Sequence, residues 1–354
     1  MTVPLEVATS DRAVPSAPDV AIIGAGPCGL FQVFELGLLG MTAYLFDSLK
    51  AVGGQCSELY PEKPIYDIPA LPVCGAQELV DRLMQQISPF KPQFHLGSEV
   101  TTVQKLESGR FRVANADGVE VEVGAVVIAA GLGAFQPRRL SIAGFEAFDG
   151  TAIQYKVTNQ AQLAGKRIVI FGGGDSALDW TVALAEKAQS LTLVHRRAEF
   201  RGAHATVVRM QELVTAGKVR VLEGVGEEVL ADGGSFRGIR VRGNDGTHHD
   251  VAADQALVFF GLHPKLGPIA EWGLHLEKKA VAVDTEKFQT SVPGIFAVGD
   301  INTYPGKKKL ILSGFHEAAL AAFGIQHYIY PAKKQFLQYT TTSPVMHKRL
   351  GVPD

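Results

Sequence analysis

The chain has 354 residues, more than one ordinary hydrophobic core accommodates, so we expect two domains, one of which can be split. Its composition, 46% hydrophobic and 20% charged, is typical of a globular protein. A net charge of −2 gives no overall reason to expect nucleic acid or a membrane surface as a partner. No apolar run is long enough to span a bilayer.

The first 18 residues contain acidic residues and prolines but no sustained apolar run, which predicts a disordered tail. A secretory signal would need a basic start and a longer apolar stretch, so we expect a cytoplasmic location. The three cysteines, Cys28, Cys56 and Cys74, are widely spaced and predict no disulfide framework. The ten histidines have no spacing typical of metal ligands, so no metal site is predicted.

A strand, a glycine-rich loop, a helix and a second strand are predicted at the start of the chain. The apolar run Asp19–Ile23 leads into the loop, Leu30–Leu39 reads as a helix, and the run Met41–Phe46 follows. In such a loop the first glycine permits a tight turn and the second allows a pyrophosphate to approach the backbone, while the third lets the helix pack closely. The helix N-terminus attracts phosphate. The loop residues assigned to a nucleotide are Gly24, Gly26, Pro27, Cys28 and Gly29.

The same pattern returns in the middle of the chain. Arg167–Phe171 precedes a second glycine-rich loop, a helix-like stretch extends through Ala188, and the run Leu191–Val194 follows. A single loop of this kind is weak evidence, but two copies with a strand before and a helix after are strong evidence of two nucleotide sites. The alternative for each copy is an ordinary glycine-rich turn. The loop residues assigned here are Gly172, Gly174, Asp175, Ser176 and Ala177.

The residue at the end of the second strand distinguishes the two copies. Asp47 lies 18 positions after Gly29 and can accept hydrogen bonds from the ribose hydroxyls of an adenosine without a 2′-phosphate, as in FAD or NAD. The second copy has basic side chains at this place, which would hold a 2′-phosphate that a carboxylate repels. They are His195, Arg196, Arg197 and Arg201. The second site is therefore predicted to select NADPH, the alternative being a solvated basic strand end.

Later apolar strands complete each copy. Ala125–Ile128 leads into Ala130 and Gly131, and Ala256–Phe260 leads into Gly261. Beyond the second copy, the run Gly294–Val298 is followed by a glycine and Asp300. A carboxylate delivered there suits a ligand hydroxyl, and we assign Asp300 to the ribityl chain of a flavin.

This order predicts an α/β fold of two Rossmann-like three-layer dinucleotide-binding domains, with the NADPH unit inserted into a split FAD unit. The predicted division is a tail at 1–18, an FAD-binding domain at 19–140 and 281–334, an NADPH-binding domain at 141–280, and a C-terminal tail at 335–354 that covers the flavin.

Both loops, the segment Gly53–Pro69 and the C-terminal tail together resemble the thioredoxin-reductase-like (type 2) ferredoxin–NADP reductases, within the pyridine nucleotide-disulfide oxidoreductase-like flavoproteins. The resemblance extends from residue 19 to nearly the C-terminus. It implies a homodimer with non-covalent FAD that transfers electrons between NADPH and ferredoxin or flavodoxin, by hydride transfer to flavin N5 and then single-electron steps. Carried over by motif, further FAD contacts fall on Gly54, Gln55, Tyr60, Val100, Phe135 and Thr341.

The resemblance also implies how the ring is covered and how a partner docks. Tyr60 and a tail aromatic such as Tyr339 are expected to pack against the flavin, with no side chain acting as acid or base in the hydride step. The tail would cover the flavin of a partner subunit, the alternative being a surface strand or a dimer strap. Among several basic clusters, Lys307–Lys309 is the preferred docking site for an acidic electron carrier, although such a cluster can also be a solvated edge.

A Cys-x-x-Cys pair is absent, and this decides between branches of the resemblance. A thioredoxin reductase needs such a pair to pass electrons to a disulfide, and the segment Thr151–Gly165, where it belongs, has no cysteine. Three functions remain. The first is a ferredoxin or flavodoxin–NADP reductase, the second an NADPH-dependent flavin reductase for another one-electron acceptor, and the third a redox-responsive interaction protein.

Overall fold

The structure, a computed structural model, describes residues 18–133, 136–263, 265–333 and 339–352. The predicted N-terminal tail therefore lies outside the described residues apart from Pro18, as do Phe135 and part of the predicted C-terminal tail. Contacts divide the chain into two compact units. Unit 1 comprises Met1–Gly54, Asp81–Gly131 and Leu266–Asp354, and unit 2 comprises Gln55–Val80 and Leu132–Lys265.

The α-helices of the described residues are α1 (Pro27–Leu38), α2 (Gln55–Leu59), α3 (Ala76–Ile87), α4 (Asp175–Leu184), α5 (His204–Thr215), α6 (Ile311–Ile329) and α7 (Pro344–Leu350). Short 3-10 helices lie at Ser88–Phe90, Phe145–Phe148, Gln160–Leu163, Gly267–Glu271 and Gly299–Ile301. The first strands are β1 (Val20–Ile23), β2 (Ala43–Asp47), β3 (Pro64–Ile65), β4 (Cys74–Gly75), β5 (Gln93–Leu96), β6 (Val100–Lys105), β7 (Phe111–Asn115), β8 (Glu120–Val123), β9 (Ala125–Ile128), β10 (Gln136–Pro137) and β11 (Ile153–Gln154). The remaining strands are β12 (Arg167–Phe171), β13 (Ser190–His195), β14 (Arg220–Asp232), β15 (Ser235–Gly243), β16 (His248–Ala252), β17 (Gln255–Val258), β18 (Leu262–His263), β19 (Leu276–Glu277), β20 (Ala280–Ala282), β21 (Ile295–Ala297) and β22 (Asn302–Thr303).

Unit 1 is built around a five-stranded parallel sheet in the order β21-β9-β1-β2-β5. Successive side chains of a strand point to opposite faces, so each buried strand contributes to two cores. One face, which includes Ile23 and Phe46, packs against the antiparallel strands β6, β7 and β8 through residues such as Phe111. Helices α1 and α6 pack on each other, and α6 contacts β9. The result is the three-layer arrangement that the repeat predicts.

Unit 2 is built around a seven-stranded sheet in the order β11-β17-β12-β13-β14-β15-β16. Its strands are parallel from β11 to β14 and antiparallel from β14 to β16. One face of β12, carrying Ile168 and Ile170, packs against helices α4 and α5, and the other face, carrying Val169 and Phe171, packs against β14, β15 and β16. The fold class is therefore confirmed, with unit 2 lying in the sequence between segments of unit 1.

Most predicted elements are present with small shifts at their ends. Ala125–Ile128 and Arg167–Phe171 are strands over the predicted residues. Helix α1 begins at Pro27 rather than Leu30, because a proline at the first helical position lacks an N–H that would have had no partner there. Within the part of the chain that the structure describes, no helix is both long and apolar enough to cross a membrane.

Candidate functional site

The first glycine-rich loop connects β1 to α1 in unit 1. Gly24 has a φ of +112°, which favours glycine, and the Cβ of any larger residue at Gly29 would overlap the carbonyl of Gly24. Helix α1 receives no side-chain capping bond at its N-cap Gly26, so the first N–H groups of the helix remain directed at the loop. Gly54 packs against this turn, because a Cβ on Gly54 would lie 3.1 Å from the Cα of Gly26. A Cβ built on Gly26 would meet no atom nearer than 3.9 Å, so the cradle leaves room for a phosphate.

Asp47 closes the cradle at the end of β2. One carboxylate oxygen accepts a hydrogen bond from the Ala25 N–H at 2.7 Å, and the other accepts one from the Leu49 N–H at 2.8 Å. Burial raises the pKa of Asp47, and these two backbone bonds oppose the shift. The loop and the strand end are thus tied together, and the carboxylate keeps lone pairs for further donors such as ribose hydroxyls.

Asp300 lies in the same unit, directly after Gly299. Burial raises the pKa of the Asp300 carboxyl, and the charges of Lys309 and Lys307 oppose that shift. The Cys28 sulfur stands where side chains on Gly299 and Gly314 would have to lie. Cys28 therefore packs the first glycine-rich loop against both the Asp300 loop and helix α6.

The other residues predicted to contact FAD are distributed over both units. Val100 is buried at the start of β6, and Ala130 and Gly131 are half-buried beyond the end of β9. Gln55 begins α2 and Tyr60 follows it, both half-buried in unit 2. In the tail, Thr341 and Tyr339 are exposed. The flavin contacts of these side chains stay predictions.

The segment with Tyr60 is anchored within unit 2 by polar contacts on both sides of the tyrosine. Glu58 pairs with Lys156, and Glu62 accepts a hydrogen bond from the Gln160 N–H at 2.9 Å. Lys63 pairs with Asp179 of helix α4 at 2.7 Å. The segment is therefore fixed to the unit that carries the second glycine-rich loop. The two units are defined by their internal contacts. The predicted bounds of an FAD-binding and an NADPH-binding domain stay a prediction.

The second glycine-rich loop connects β12 to α4. Its helix also has no side-chain capping bond at the N-cap, Gly174, and a Cβ built there would meet no atom within 4 Å. Open space thus faces the positive end of the helix, as a phosphate site requires. Asp175 does not occupy that space, because its carboxylate accepts a hydrogen bond from the Ala203 N–H at 2.8 Å. Ser176 and Ala177 follow in the first turn, with Ala177 buried.

His195 ends β13 and lies over the second loop. Its ring stands where a Cβ on Gly173 would have to be, and stacks on Phe200 with ring centroids 5.2 Å apart. Burial lowers the pKa of His195, and so do the neighbouring charges of Arg196, Arg197 and Arg201, while a bond with the Glu199 carbonyl opposes them. Burial and the neighbouring positive charges thus favour the neutral form of the imidazole.

Three arginines surround His195. Arg196 and Arg197 follow it directly and are exposed, so their guanidinium groups can reach a ligand. Arg201 returns to the loop because its N–H donates to the Gly173 carbonyl at 2.7 Å. Gly261, also predicted to contact NADPH, accepts a hydrogen bond from the Arg138 N–H at the far end of β17. The arginines that the sequence assigns to one nucleotide thus lie around one loop.

A buried ion pair beside Asp300 was not predicted. Glu317 on α6 is 0% exposed and pairs with Lys307, which is 7% exposed. The expectation that Lys307 docks an electron carrier is therefore wrong, because its ammonium group is committed to Glu317 and to the Gly299 carbonyl. Glu317 is the only Asp, Glu, Lys or Arg of α6, and this isolated charge was the sequence signal of the pair. Lys308 and Lys309 are exposed.

The tail helix α7 packs against α1 in unit 1. Arg349 donates to the Leu38 carbonyl at the C-terminal end of α1, and Met346 is buried. The phosphate loop lies at the other end of α1, which twelve residues place about 18 Å away. Tyr339, just before α7, is 65% exposed. Among the described residues, no group of three potential ligands is arranged to hold a metal ion.

Two nucleotide loops in two Rossmann-like units, one with an acidic tip and one with a basic tip, define a two-nucleotide oxidoreductase. Residues 18–322 match the family model described as pyridine nucleotide-disulphide oxidoreductase. The chain is 57% identical to ferredoxin–NADP reductase 2 of Cupriavidus necator over 338 residues, which cover 96% of this chain and 92% of that protein. It is also 57% identical to the ferredoxin–NADP reductase of Methylibium petroleiphilum over 342 residues, covering 96% and 93%.

Among solved structures, the chain is similar in fold to a thioredoxin reductase of Lactococcus lactis, with a TM-score of 0.75 and 23% identity over 89% of this chain and 99% of that one. At this identity the likeness concerns the fold alone. The chain belongs to the pyridine nucleotide-disulphide oxidoreductase family and, within it, to the ferredoxin–NADP reductases.

Proposed function

We propose that this chain is an FAD-dependent oxidoreductase that transfers electrons between NADPH and ferredoxin or flavodoxin. The observation that carries the proposal is the pair of glycine-rich loops with opposite tips, Asp47 in one and the His195–Arg197 run in the other. The relatives at 57% identity are named as ferredoxin–NADP reductases. A thiol route is excluded because no Cys-x-x-Cys pair exists in the sequence.

The residues of unit 1 fit FAD. The α1 N-terminus and the open face of Gly26 would receive the pyrophosphate, Asp47 the adenosine ribose, and Asp300 the ribityl hydroxyls. When bound, FAD supplies the exchange of a hydride with a nicotinamide and of single electrons with a carrier. The protein binds and orients FAD, and no side chain takes part in proton transfer.

The residues of unit 2 fit NADPH. The open face of Gly174 and the α4 N-terminus would receive its pyrophosphate. Arg196, Arg197 and Arg201 would hold the 2′-phosphate, since guanidinium groups bind phosphate oxygens in pairs. The ring of His195 lies over the loop and its pKa is lowered by burial, so the arginines are the groups that would supply the positive charge. The arginine set is what favours NADPH over NADH.

The α6 N-terminus is the surface that best fits an electron carrier. Leu310 and Leu312 are each 44% exposed there, and Lys308 and Lys309 flank them. Small electron carriers such as ferredoxin and flavodoxin are generally acidic, and an apolar centre with a basic rim complements such a protein. Lys309 is close enough to Asp300 to lower its pKa, so this surface adjoins the proposed flavin site.

The C-terminal tail and a homodimeric assembly also have a role in the proposed function. Helix α7 is fixed by Arg349 at the end of α1 remote from the phosphate loop, and Tyr339 and Thr341, which precede α7, are exposed. We therefore propose that they cover the flavin of a partner subunit in a homodimer. Tyr60 would pack on the flavin from the segment anchored by Lys63 and Glu58. We expect the enzyme in the cytoplasm.

The test is NADPH-driven reduction of cytochrome c by the purified yellow protein, with and without added ferredoxin. Strict dependence on ferredoxin is the expected result. Lys308→Glu/Lys309→Glu should raise the KM for ferredoxin roughly tenfold at low salt and flatten its salt dependence. Lys278→Glu/Lys279→Glu, a second exposed lysine pair in unit 1, is the matched control and should change neither value. A colourless protein that takes up no FAD, or full activity without ferredoxin, would contradict the proposed function.

A further inference from the structure

Glu317 is a charged residue in the interior of unit 1, and its carboxylate is fully engaged. One oxygen accepts hydrogen bonds from the Gly299 N–H at 2.7 Å and the Asn302 side-chain amide at 2.8 Å. The other accepts from the Tyr304 hydroxyl at 2.9 Å and from the Lys307 ammonium group. A buried carboxylate is costly unless such donors surround it. Four donors converge here, all from the stretch between residues 299 and 307.

Lys307 completes the arrangement by donating also to the Gly299 carbonyl at 2.9 Å. The N–H of Gly299 is therefore held by Glu317, and its C=O is held by Lys307. Gly299 has a φ of +80°, in the left-handed region, and its conformation sets the direction in which the chain continues. The next residue is Asp300. One ion pair thus fixes the backbone on both sides of the residue before Asp300.

We propose that Glu317 and Lys307 are positioning residues that hold the Gly299–Asp300 loop so that the Asp300 carboxylate meets the ribityl hydroxyls of FAD. The inference rests on the proposed function, because it takes Asp300 as a flavin ligand. The competing explanation is that the pair only stabilises the fold. A buried ion pair is often no more stabilising than apolar residues of the same volume, which favours the positioning role over stabilisation alone.

The pair lies behind the loop and acts through the Gly299 peptide groups. Loss of the pair should therefore loosen Asp300 without removing it. Glu317→Gln keeps the shape of the side chain, but it replaces one of the two acceptor oxygens by an NH2 donor and removes the negative charge that pairs with buried Lys307. We expect roughly a tenfold to hundredfold rise in the FAD dissociation constant, measured from the fluorescence of released FAD. Lys307→Met should act in the same direction, and Lys307→Arg should restore part of the affinity because it keeps the charge.

A double-variant cycle with Asp300→Asn separates positioning from general stability. If Glu317 acts through Asp300, Glu317→Gln will weaken FAD binding strongly in the native background and at most about twofold in the Asp300→Asn background. Equal weakening in both backgrounds would overturn the inference. Gln326→Leu is the matched control, since Gln326 is buried on the same helix and donates to the Leu39 carbonyl. It should lower the unfolding temperature of the apoprotein and leave FAD affinity unchanged.

The outcomes also separate this inference from the proposed function. If the wild-type protein binds no FAD, the proposed function fails and the inference fails with it. If wild type binds FAD and the cycle is additive, only the inference fails. Should Glu317→Gln not fold, the same cycle is carried out with Lys307→Met, which breaks the same ion pair from the lysine side. An FAD affinity unaffected by Lys307→Met would overturn the positioning role as decisively.

Discussion

The two glycine-rich loops differ in the charge of the side chains at one equivalent position, which is acidic in the first copy and followed by arginines in the second. Asp47 and His195 each lie 18 positions after the last small residue of their loop, Gly29 and Ala177. Both side chains contact the residue between the first two glycines of their loop, which is Ala25 in the first loop and Gly173 in the second. Asp47 accepts a hydrogen bond from the N–H of that residue, whereas His195 lays its ring over the face of Gly173.

The difference shows how a duplicated scaffold acquires two specificities. The backbone conformation and the uncapped helix N-terminus are common to both loops, so both can receive a pyrophosphate. In the function proposed above, selectivity depends on the side chains at the tip of the second strand. The Asp47 carboxylate would repel a 2′-phosphate, and the arginines beside His195 would bind one. On this proposal the loop binds the pyrophosphate, and the strand tip selects the nucleotide.

The largest effect is expected at the acidic tip. Asp47→Ala removes the acceptor for the Ala25 and Leu49 N–H groups together with the proposed ribose contact. FAD affinity should fall by roughly 100-fold to 1000-fold, or about 3–4 kcal/mol, measured by titration of the apoprotein with FAD. Asp19→Ala is the control, because Asp19 binds the Thr42 N–H where the first two strands begin, remote from the loop. Equal loss of FAD in both variants would mean that Asp47 acts only as a structural tie.

A smaller effect is expected at the basic tip. Arg196→Ala should raise the KM for NADPH by a factor corresponding to roughly 1.5–3 kcal/mol, the usual scale for a charge-assisted hydrogen bond, and leave the KM for NADH unchanged. Steady-state kinetics with both nucleotides measure this. Arg209→Ala removes another exposed arginine of unit 2, paired with Glu212, and should affect neither nucleotide. A similar rise for NADPH and NADH would place Arg196 away from the 2′-phosphate.

Much of this architecture is legible in the sequence because its signals are local. The strands Ala125–Ile128 and Arg167–Phe171 are short apolar runs bounded by glycine, and burial on both faces of a parallel sheet demands that pattern. Gly24, with a φ of +112°, and Gly29, whose Cβ would overlap the Gly24 carbonyl, are required by the geometry of the turn itself. Asp47 and Arg196 follow from a fixed spacing within one strand–helix–strand unit. Such features need no knowledge of distant contacts.

The features that the sequence did not reveal depend on partners far apart along the chain. Lys307 belongs to a run of three lysines, a pattern typical of a solvated surface, yet Glu317 on a helix draws it into the interior. The segment 55–80 follows the first strand–helix–strand unit in sequence, but it belongs to unit 2 and pairs with Lys156 and Asp179. The stacking of His195 over Gly173 is likewise a tertiary contact, since the 18-residue spacing gives position and not ring orientation.

The smallest effect is expected at the middle residue of the second loop, where the comparison is sharpest. The first loop has Ala25 at this position, but a Cβ on Gly173 would overlap the His195 ring. Gly173→Ala should displace that ring and raise the KM for NADPH roughly fivefold, which corresponds to about 1 kcal/mol. The affinity for FAD should be unchanged. In a His195→Ala background the obstruction is gone, so the same substitution should have almost no effect. If the KM for NADPH rises fivefold in that background too, Gly173 itself contacts the nucleotide. The two loops would then differ at this glycine as well as at the strand tip.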